Sequence, residues 1–205
     1  MDKPERNTMP RHLAFDEDYY RRYYVDPRTR VETVGETRSR MNFVCGYIKY
    51  LGQDIKAVLD LGCGLGQWQS VITTEFPRAS YTGVERSEYL CNRFGWRQGS
   101  VVSFRSRRRY DLLICYDVLQ YLDDHAATQA IDNLQRLCRG ILYFGVLTKE
   151  DWTDNCDQAR TDGKAHLRRA NWYRSRLRDG FTNMGGGLFL SDDSPIVVYD
   201  MEQLR

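Results

Sequence analysis

The sequence lacks what a membrane or secreted protein needs. No apolar run approaches the roughly 18–20 residues of a transmembrane helix. The first dozen residues, Met1 to His12, are polar and contain no apolar stretch of the kind a secretory leader carries. None of the six cysteines (Cys45, Cys63, Cys91, Cys115, Cys138 and Cys156) belongs to a C-x-x-C pair, and no spacing among them matches a structural zinc site. Free thiols are expected, four of them (Cys45, Cys63, Cys115 and Cys138) in or beside apolar segments where they act as small hydrophobes. A charge surplus is missing too: 30 basic against 28 acidic residues leave +2, so composition gives no argument for a nucleic-acid partner. Lysine is scarce, 5 against 25 arginines, and there is no internal repeat or low-complexity tract. What is left is a soluble, cytoplasmic chain of 205 residues, 41% hydrophobic and 13% aromatic. A chain of that length buries about 70% of its unfolded surface in one domain.

The patterning alternates strand and helix. Residues 16–24 predict a short helix capped by Asp16 and halted at Asp26-Pro27. On it Tyr20 and Tyr24 share one face, as do Tyr19 and Tyr23. Met41, Val44, Ile48 and Leu51 recur at helical spacing over 36–51, and Gly52 ends the run. Strands are expected at 57–61, 81–85, 101–104, 111–115 and 141–147, with helices at 67–76, 87–94 and 124–139, the last ending at Gly140. Such alternation argues for an α/β fold with a mostly parallel, doubly wound sheet covered on both faces. After a helix at 170–177 come two strand-like runs, 181–189 and 195–201, separated only by 190–194. That gap is too short for a parallel crossover, so the two must pair antiparallel. Residues 1–53 read as a polar tail and helical cap, and 54–205 as the ligand-binding domain.

The chemistry concentrates at VLDLGCGLGQ, residues 58–67, where Gly62, Gly64 and Gly66 lie between a buried strand and a helix. Glycines there permit a tight turn and close ligand approach, and the helix start offers unpaired N–H groups. Dinucleotide enzymes use G-x-G-x-x-G with a pyrophosphate on the helix N-terminus. Here the spacing is G-x-G-x-G, and Asp60 stands two residues before the first glycine. Its carboxylate repels a phosphate and suits an ammonium. Glu85, at the end of the second strand, is placed to accept hydrogen bonds from ribose hydroxyls. An amino-acid end plus a ribose end describes S-adenosylmethionine.

With these residues in view, VLDLGCGLG resembles motif I of the class I S-adenosylmethionine-dependent methyltransferases. YTGVE at 81–85 is similar to the family's second-strand acidic motif, and YDLLICYDVLQYLDD at 110–124 to its fourth-strand motif. The resemblance runs from about residue 55 to 147, and the terminal hairpin fits the family's last two strands. It implies a Rossmann-like, seven-stranded sheet and S-adenosylmethionine as cofactor. It implies that Asp60 and Gly62 hold the amino-acid end, Gly64 allows backbone approach, Glu85 binds the ribose and Arg86 flanks the adenine. Ser100 and Val101 fall where relatives often present an acid to the adenine amine, which shifts adenine recognition towards backbone groups. Cys115 and Tyr116 are expected near the sulfonium, and Tyr121 where relatives often carry a histidine or an aromatic.

The remaining candidates come from the flanks. Tyr20 and Tyr24 either pack the N-terminal helix on the core or line a lid beside the substrate. The long segment 148–169 is rich in recognition chemistry at Trp152, Arg160, Asp162 and His166; Trp152 and Arg160 are expected as substrate contacts and His166, with Tyr121, as the group that shapes or deprotonates the acceptor. A metal held by Cys156, Asp157 and His166 matches no known spacing, so none is expected. The arginine-rich stretch 105–109 reads as a solvated loop. The expected activity is methyl transfer to a small molecule by in-line displacement, in a monomer or homodimer with no membrane or nucleic-acid partner. A nicotinamide-dependent oxidoreductase, an RNA or protein methyltransferase, and an inactive cofactor-binding partner stand beside it.

Overall fold

In the computed structural model, which describes residues 15–204, seven strands form one sheet. They are β1 (Ala57–Leu61), β2 (Ser80–Glu85), β3 (Arg97–Gln98), β4 (Tyr110–Tyr116), β5 (Cys138–Gly145), β6 (Phe181–Gly185) and β7 (Leu188–Ser191), in the order β3-β2-β1-β4-β5-β7-β6. The first five are parallel, and β7 then runs antiparallel to both β5 and β6. Strand order reverses between β1 and β4, the place where open α/β sheets bind ligands. Apart from Phe15, the polar tail expected over residues 1–15 lies outside the described residues.

Strand alternation splits the core in two. Val58, Leu112, Ile114, Ile141 and Tyr143 face α2 (Val34–Tyr50) and α3 (Gln67–Glu75). Leu59, Leu61, Leu113, Cys115, Leu142 and Phe144 face α5 (Asp124–Leu137) and α7 (Ala170–Leu177). The other helices are α1 (Glu17–Tyr20), which continues into a π-helical turn Arg21–Val25, α4 (Glu88–Phe94) and α6 (Lys149–Asp154). Asp16 caps α1 by accepting from the Tyr19 N–H, as expected. A Thr33–Glu36 capping box starts α2 two residues earlier than its apolar pattern shows. Met41, Val44, Cys45 and Ile48 bury that helix against the sheet, so it is part of the core cover. All six cysteines are free thiols.

Three expectations need correcting. The third strand is not 101–104, which forms turns, but the two-residue pair at Arg97–Gln98. The buried Asn133 Nδ2 donates to the Val101 and Phe104 carbonyls and holds that segment out of the sheet. The helix expected to end at Gly140 is capped by Asp123 and stops at Leu137, and Gly140 lies inside β5. A Cβ at Gly140 would come within 2.2 Å of the Asp111 carbonyl oxygen, so the glycine serves close strand approach. The terminal hairpin turns at Gly185, Gly186 and Gly187, all with positive φ, so both its strands fall within 181–191 and residues 195–201 form none. The apolar residues around the glycines hid the turn.

The arginine stretch 105–109 is the largely exposed loop expected, and arginines within it also hold backbone carbonyls. Arg105 donates to the Val102 and Phe104 carbonyls, and Arg109 to the Cys138 carbonyl and the Asp193 carboxylate. Among the described residues no helix is long and apolar enough to cross a membrane.

Asp111 is the buried polar anchor at the base of the sheet. Its Oδ2 accepts from the backbone N–H groups of Lys56 and Ala57, both at 2.9 Å, and its Oδ1 from Arg139 Nε at 2.8 Å. Asp111→Ala leaves two N–H groups unpaired and is expected to lower unfolding stability by about 2–4 kcal/mol. Urea denaturation with an unchanged slope and a reduced midpoint checks this.

Candidate functional site

The central strand β1 is wholly buried and delivers the chain into the glycine turn. Gly62, Gly64 and Gly66 all have positive φ (81°, 53° and 73°). Their uses differ. A Cβ at Gly62 would meet Val118 Cγ2 at 2.4 Å, and one at Gly66 would meet the Trp96 ring at 2.3 Å. At Gly64 nothing lies closer than the Gly62 carbonyl at 4.0 Å, so this glycine presents an open face. Two positions therefore serve packing, and the middle one leaves room for a ligand.

Glu85 fixes the turn in place. Its Oε1 accepts from the N–H groups of Arg86 (2.7 Å) and Ser87 (2.8 Å), and its Oε2 from the Gly64 N–H at 2.9 Å. Behind the turn the Trp96 indole donates to the Gly64 carbonyl at 3.0 Å. Gly83 leaves room for the same indole, since a Cβ there would fall 2.7 Å from it. The sequence reading missed Trp96, because Gly66 and Gly83 come to face its ring only in the folded sheet.

Asp60 points to the α2/α3 face of β1 and is 2% exposed. Its Oδ2 accepts from the Tyr81 hydroxyl at 2.5 Å. Burial pushes its carboxyl up to about 7; the Tyr81 hydrogen bond works against that shift and the nearby Glu85 adds to it. Asp117, directly after β4, is the one non-glycine with positive φ (56°) among the described residues. Aspartate tolerates that backbone better than a branched residue. Its N–H donates to the Gly145 carbonyl at 3.0 Å, and burial raises its carboxyl above the usual range while Arg40 opposes the rise.

Two cavities meet over the turn. The smaller, about 90 Å³, is lined by Glu85, Arg86, Ser100, Val101 and Tyr20 among others. The larger, about 490 Å³, reaches from Asp60 and Trp68 to the segment after β5. Gly62, Gly64, Tyr19, Tyr24, Tyr116, Asp117 and Tyr121 belong to both walls. The N-terminal tyrosines roof this junction. The Tyr19 and Tyr121 hydroxyls lie 2.9 Å apart, the Phe15 ring packs on both, and Ser87 Oγ donates to the Phe15 carbonyl at 2.5 Å. Tyr20 packs on the core at 6% exposure, and Tyr20 and Tyr24 also line the cavity wall. Burial holds the hydroxyls of Tyr19, Tyr24 and Tyr121 well above the ordinary phenol range, so they stay protonated.

Asp60, Gly62, Gly64, Glu85, Arg86, Ser100, Val101, Tyr116, Tyr121, Tyr20 and Tyr24 thus line one or both cavities. Four expected residues do not. Cys115 is fully buried on the α5/α7 side, because alternation along β4 turns it away from the face that carries Ile114. His166 is exposed; its backbone N–H donates to the Gln120 carbonyl, and its ring lines neither cavity. Trp152 lies against Gly163, and Arg160 donates to the Pro27 carbonyl, tying its segment to the N-terminal region. The 148–169 segment instead sends Asp151, Asn155, Cys156, Thr161 and Asp162 into the large cavity's wall. Composition showed that this segment was rich in recognition groups but not which side α6 would turn inward. Among the described residues no group of three or more His, Cys, Asp or Glu is placed to hold a metal ion.

A parallel sheet reversing beside a glycine turn, with a carboxylate on each side of that turn, defines a nucleoside-binding α/β domain. The sequence profile described as "Methyltransferase domain" matches residues 20–185, and the chain belongs to that family. A stretch of 101 residues is 29% identical to the trans-aconitate 2-methyltransferase of Azoarcus sp. (strain BH72), covering 46% of this chain and 38% of that one. The chain therefore matches well under half of that curated relative's length. The fold resembles N-methyltransferase NodS from Bradyrhizobium japonicum WM9 in complex with S-adenosyl-L-homocysteine (TM-score 0.54, 16% identity, 78% of this chain and 89% of that one). It also resembles Streptomyces venezuelae DesVI (TM-score 0.56, 16% identity, 75% and 90%). The expected Rossmann-like class I architecture is the one observed.

The residues present fit S-adenosylmethionine. The open face of Gly64, the buried Asp60 carboxyl and the Glu85 carboxylate border two cavities that share wall residues. Glu85 Oε1 already holds two N–H groups and Oε2 one, which leaves capacity for one further donor on Oε2. Glu85→Ala removes the acceptor for three backbone N–H groups and is expected to cost about 1–3 kcal/mol of stability. A thermal midpoint equal to wild type would show that the turn does not depend on it.

Proposed function

We propose that this chain transfers the methyl group of S-adenosylmethionine to a nucleophilic atom of a small molecule by in-line displacement. The observation that carries the reading is the junction of the two cavities above the glycine turn, with Glu85 bordering one and Asp60 the other. When bound, the cofactor supplies an electrophilic methyl carbon on a positively charged sulfur, a leaving group that needs no further activation.

The chain's residues then have mainly positional work. Asp60 receives the ammonium end, and Gly62 and Gly64 let the backbone approach. Glu85 takes a ribose hydroxyl on Oε2, and Arg86, Ser100 and Val101 border the adenine. Tyr116 is held by stacking on Tyr143, with ring centroids 5.4 Å apart, and by the Arg40 guanidinium 4.2 Å over its face. It walls the junction where the methyl would lie. The Tyr19–Tyr121 bridge closes the roof and excludes water. Positioning of this kind supplies roughly 7–11 kcal/mol of a barrier. A chamber of about 490 Å³ under that roof has the size of a small-molecule site. Tyr121 orients the acceptor as a neutral hydroxyl and does not act as a base.

Calorimetric titration with S-adenosylhomocysteine tests the reading: saturable binding is expected, and a well-folded chain that gives no heat would sink it. An ammonium ligand favours ionised Asp60, whose carboxyl titrates at about 7. Below that pH a proton must leave on binding, so affinity is expected to fall by up to about 10-fold per pH unit as pH drops from 7, and Asp60→Asn should flatten the profile. His166→Ala is expected to keep turnover within about twofold, since a base must lie within hydrogen-bond reach of the proton it takes.

A further inference from the structure

We propose that the large cavity selects an acceptor whose methyl-receiving atom is an amine nitrogen; this rests on the methyltransferase reading above. Among the described lining residues are five carboxylates (Glu32, Asp60, Asp117, Asp151 and Asp162) and one cation, Arg40. The cation is committed: Arg40 pairs with Glu32 and lies over the Tyr116 ring. Asp60 is assigned to the cofactor's ammonium, and Asp151 is held by the Thr148 hydroxyl and the Asn155 amide. Among the described lining residues, Asp117 then shares Arg40 with Glu32, and Asp162, held by the Lys164 N–H, has no guanidinium beside it in the wall, so carboxylates outnumber cations there. Inside a protein cavity, where the effective dielectric is below that of water, such charge attracts a cation more strongly than it would in bulk solvent.

Gln120 points to the same ligand chemistry. It is 3% exposed and lines the chamber, and among the described residues its buried Oε1 has no hydrogen-bond partner. Its Nε2 faces Asp117 Oδ1 at 3.4 Å, so the amide's acceptor end is the unused one. A buried acceptor left unpaired is costly, and a ligand N–H removes that cost. Tyr19, Tyr23, Tyr24, Tyr116 and Tyr121 also line the chamber, and aromatic rings tolerate a cation beside them. An ammonium supplies positive charge and three donors to this set. An alcohol supplies one donor and no charge, and a carboxylate is repelled.

The bound ammonium gives one proton to the Asp117 carboxylate, and the freed nitrogen lone pair forms the new N–C bond. The C–S bond breaks with its electron pair staying on sulfur, which becomes a neutral thioether. The product is a methylammonium of the same charge as the substrate, and Asp117 later returns its proton to solvent. Burial, which raises the Asp117 carboxyl above the ordinary range, suits it to hold that proton briefly.

The test uses the full chain saturated with S-adenosylhomocysteine. It is titrated with benzylamine, tyramine and glucosamine, each beside its hydroxyl counterpart, and with benzoate and trans-aconitate. At least one amine is expected to bind 10-fold or more tightly than its hydroxyl counterpart, and the carboxylates not at all. Asp162→Asn and Gln120→Leu, both checked for folding by circular dichroism, should each weaken that amine fivefold or more while S-adenosylhomocysteine affinity stays within twofold. Alcohols or carboxylates binding as well as amines, no amine binding to the loaded chain, or amine affinity unmoved in both variants overturns the proposal. A chain that fails to bind S-adenosylhomocysteine overturns both readings, whereas loss of amine selectivity alone leaves the methyltransferase reading standing.

Discussion

The site depends on one carboxylate. Glu85 ends β2 and collects N–H groups from its own turn and from the glycine turn of the neighbouring strand. A buried anion satisfied by three backbone donors is stable where an unpaired one would be expelled. Those hydrogen bonds join the ends of β1 and β2, so the two strands that carry Asp60 and Glu85 present a fixed floor. Trp96 bears on the same turn from behind, through its hydrogen bond to the Gly64 carbonyl and through the space that Gly66 and Gly83 leave for its ring.

Above that floor, geometry is set by crowding. Asp117 accepts a left-handed backbone so that β4 can leave the sheet beside Val118, which fills the space left by the missing side chain of Gly62. Gly145 is small because the Tyr116 ring lies where its Cβ would be, with ring carbons as close as 2.2 Å. The N-terminal aromatics close over this arrangement, and Arg160 and Arg168 brace the segment after β5. Arg168 is 7% exposed and donates to Asp124, Tyr173 and the Leu119 and Leu122 carbonyls. A cation so placed is a strut, and it is spent on structure.

Much of this was legible in the sequence. The strands β1, β2, β4 and β5, the glycine turn and its two flanking carboxylates follow from buried runs, period-two alternation and glycine spacing, all local signals. The flanks were not legible in the same way. Nothing local distinguishes Arg97–Gln98 as a strand, because a two-residue pairing has no periodicity and exists only where Val84 and Glu85 lie beside it. The three glycines at 185–187 were passed over because the apolar residues around them resemble one long strand. In the 148–169 segment, chemistry pointed to Trp152, Arg160, Asp162 and His166, of which only Asp162 lines the large cavity, and the orientation of the six-residue helix there is decided by its capping box and by tertiary contacts. Gln120 and Asp117 escaped notice because their significance lies in an unpaired atom and a backbone angle.

The glycine turn makes a set of internal hydrogen bonds. The N–H groups of Gly62 and Cys63 reach the Val84 carbonyl, that of Gly66 reaches the Cys63 carbonyl, and that of Gly64 reaches Glu85. A molecule settling there therefore freezes little additional chain. Its association escapes most of the conformational entropy penalty that a mobile phosphate-type loop would impose, and recognition at this end of the sheet is that of a preorganised receptor.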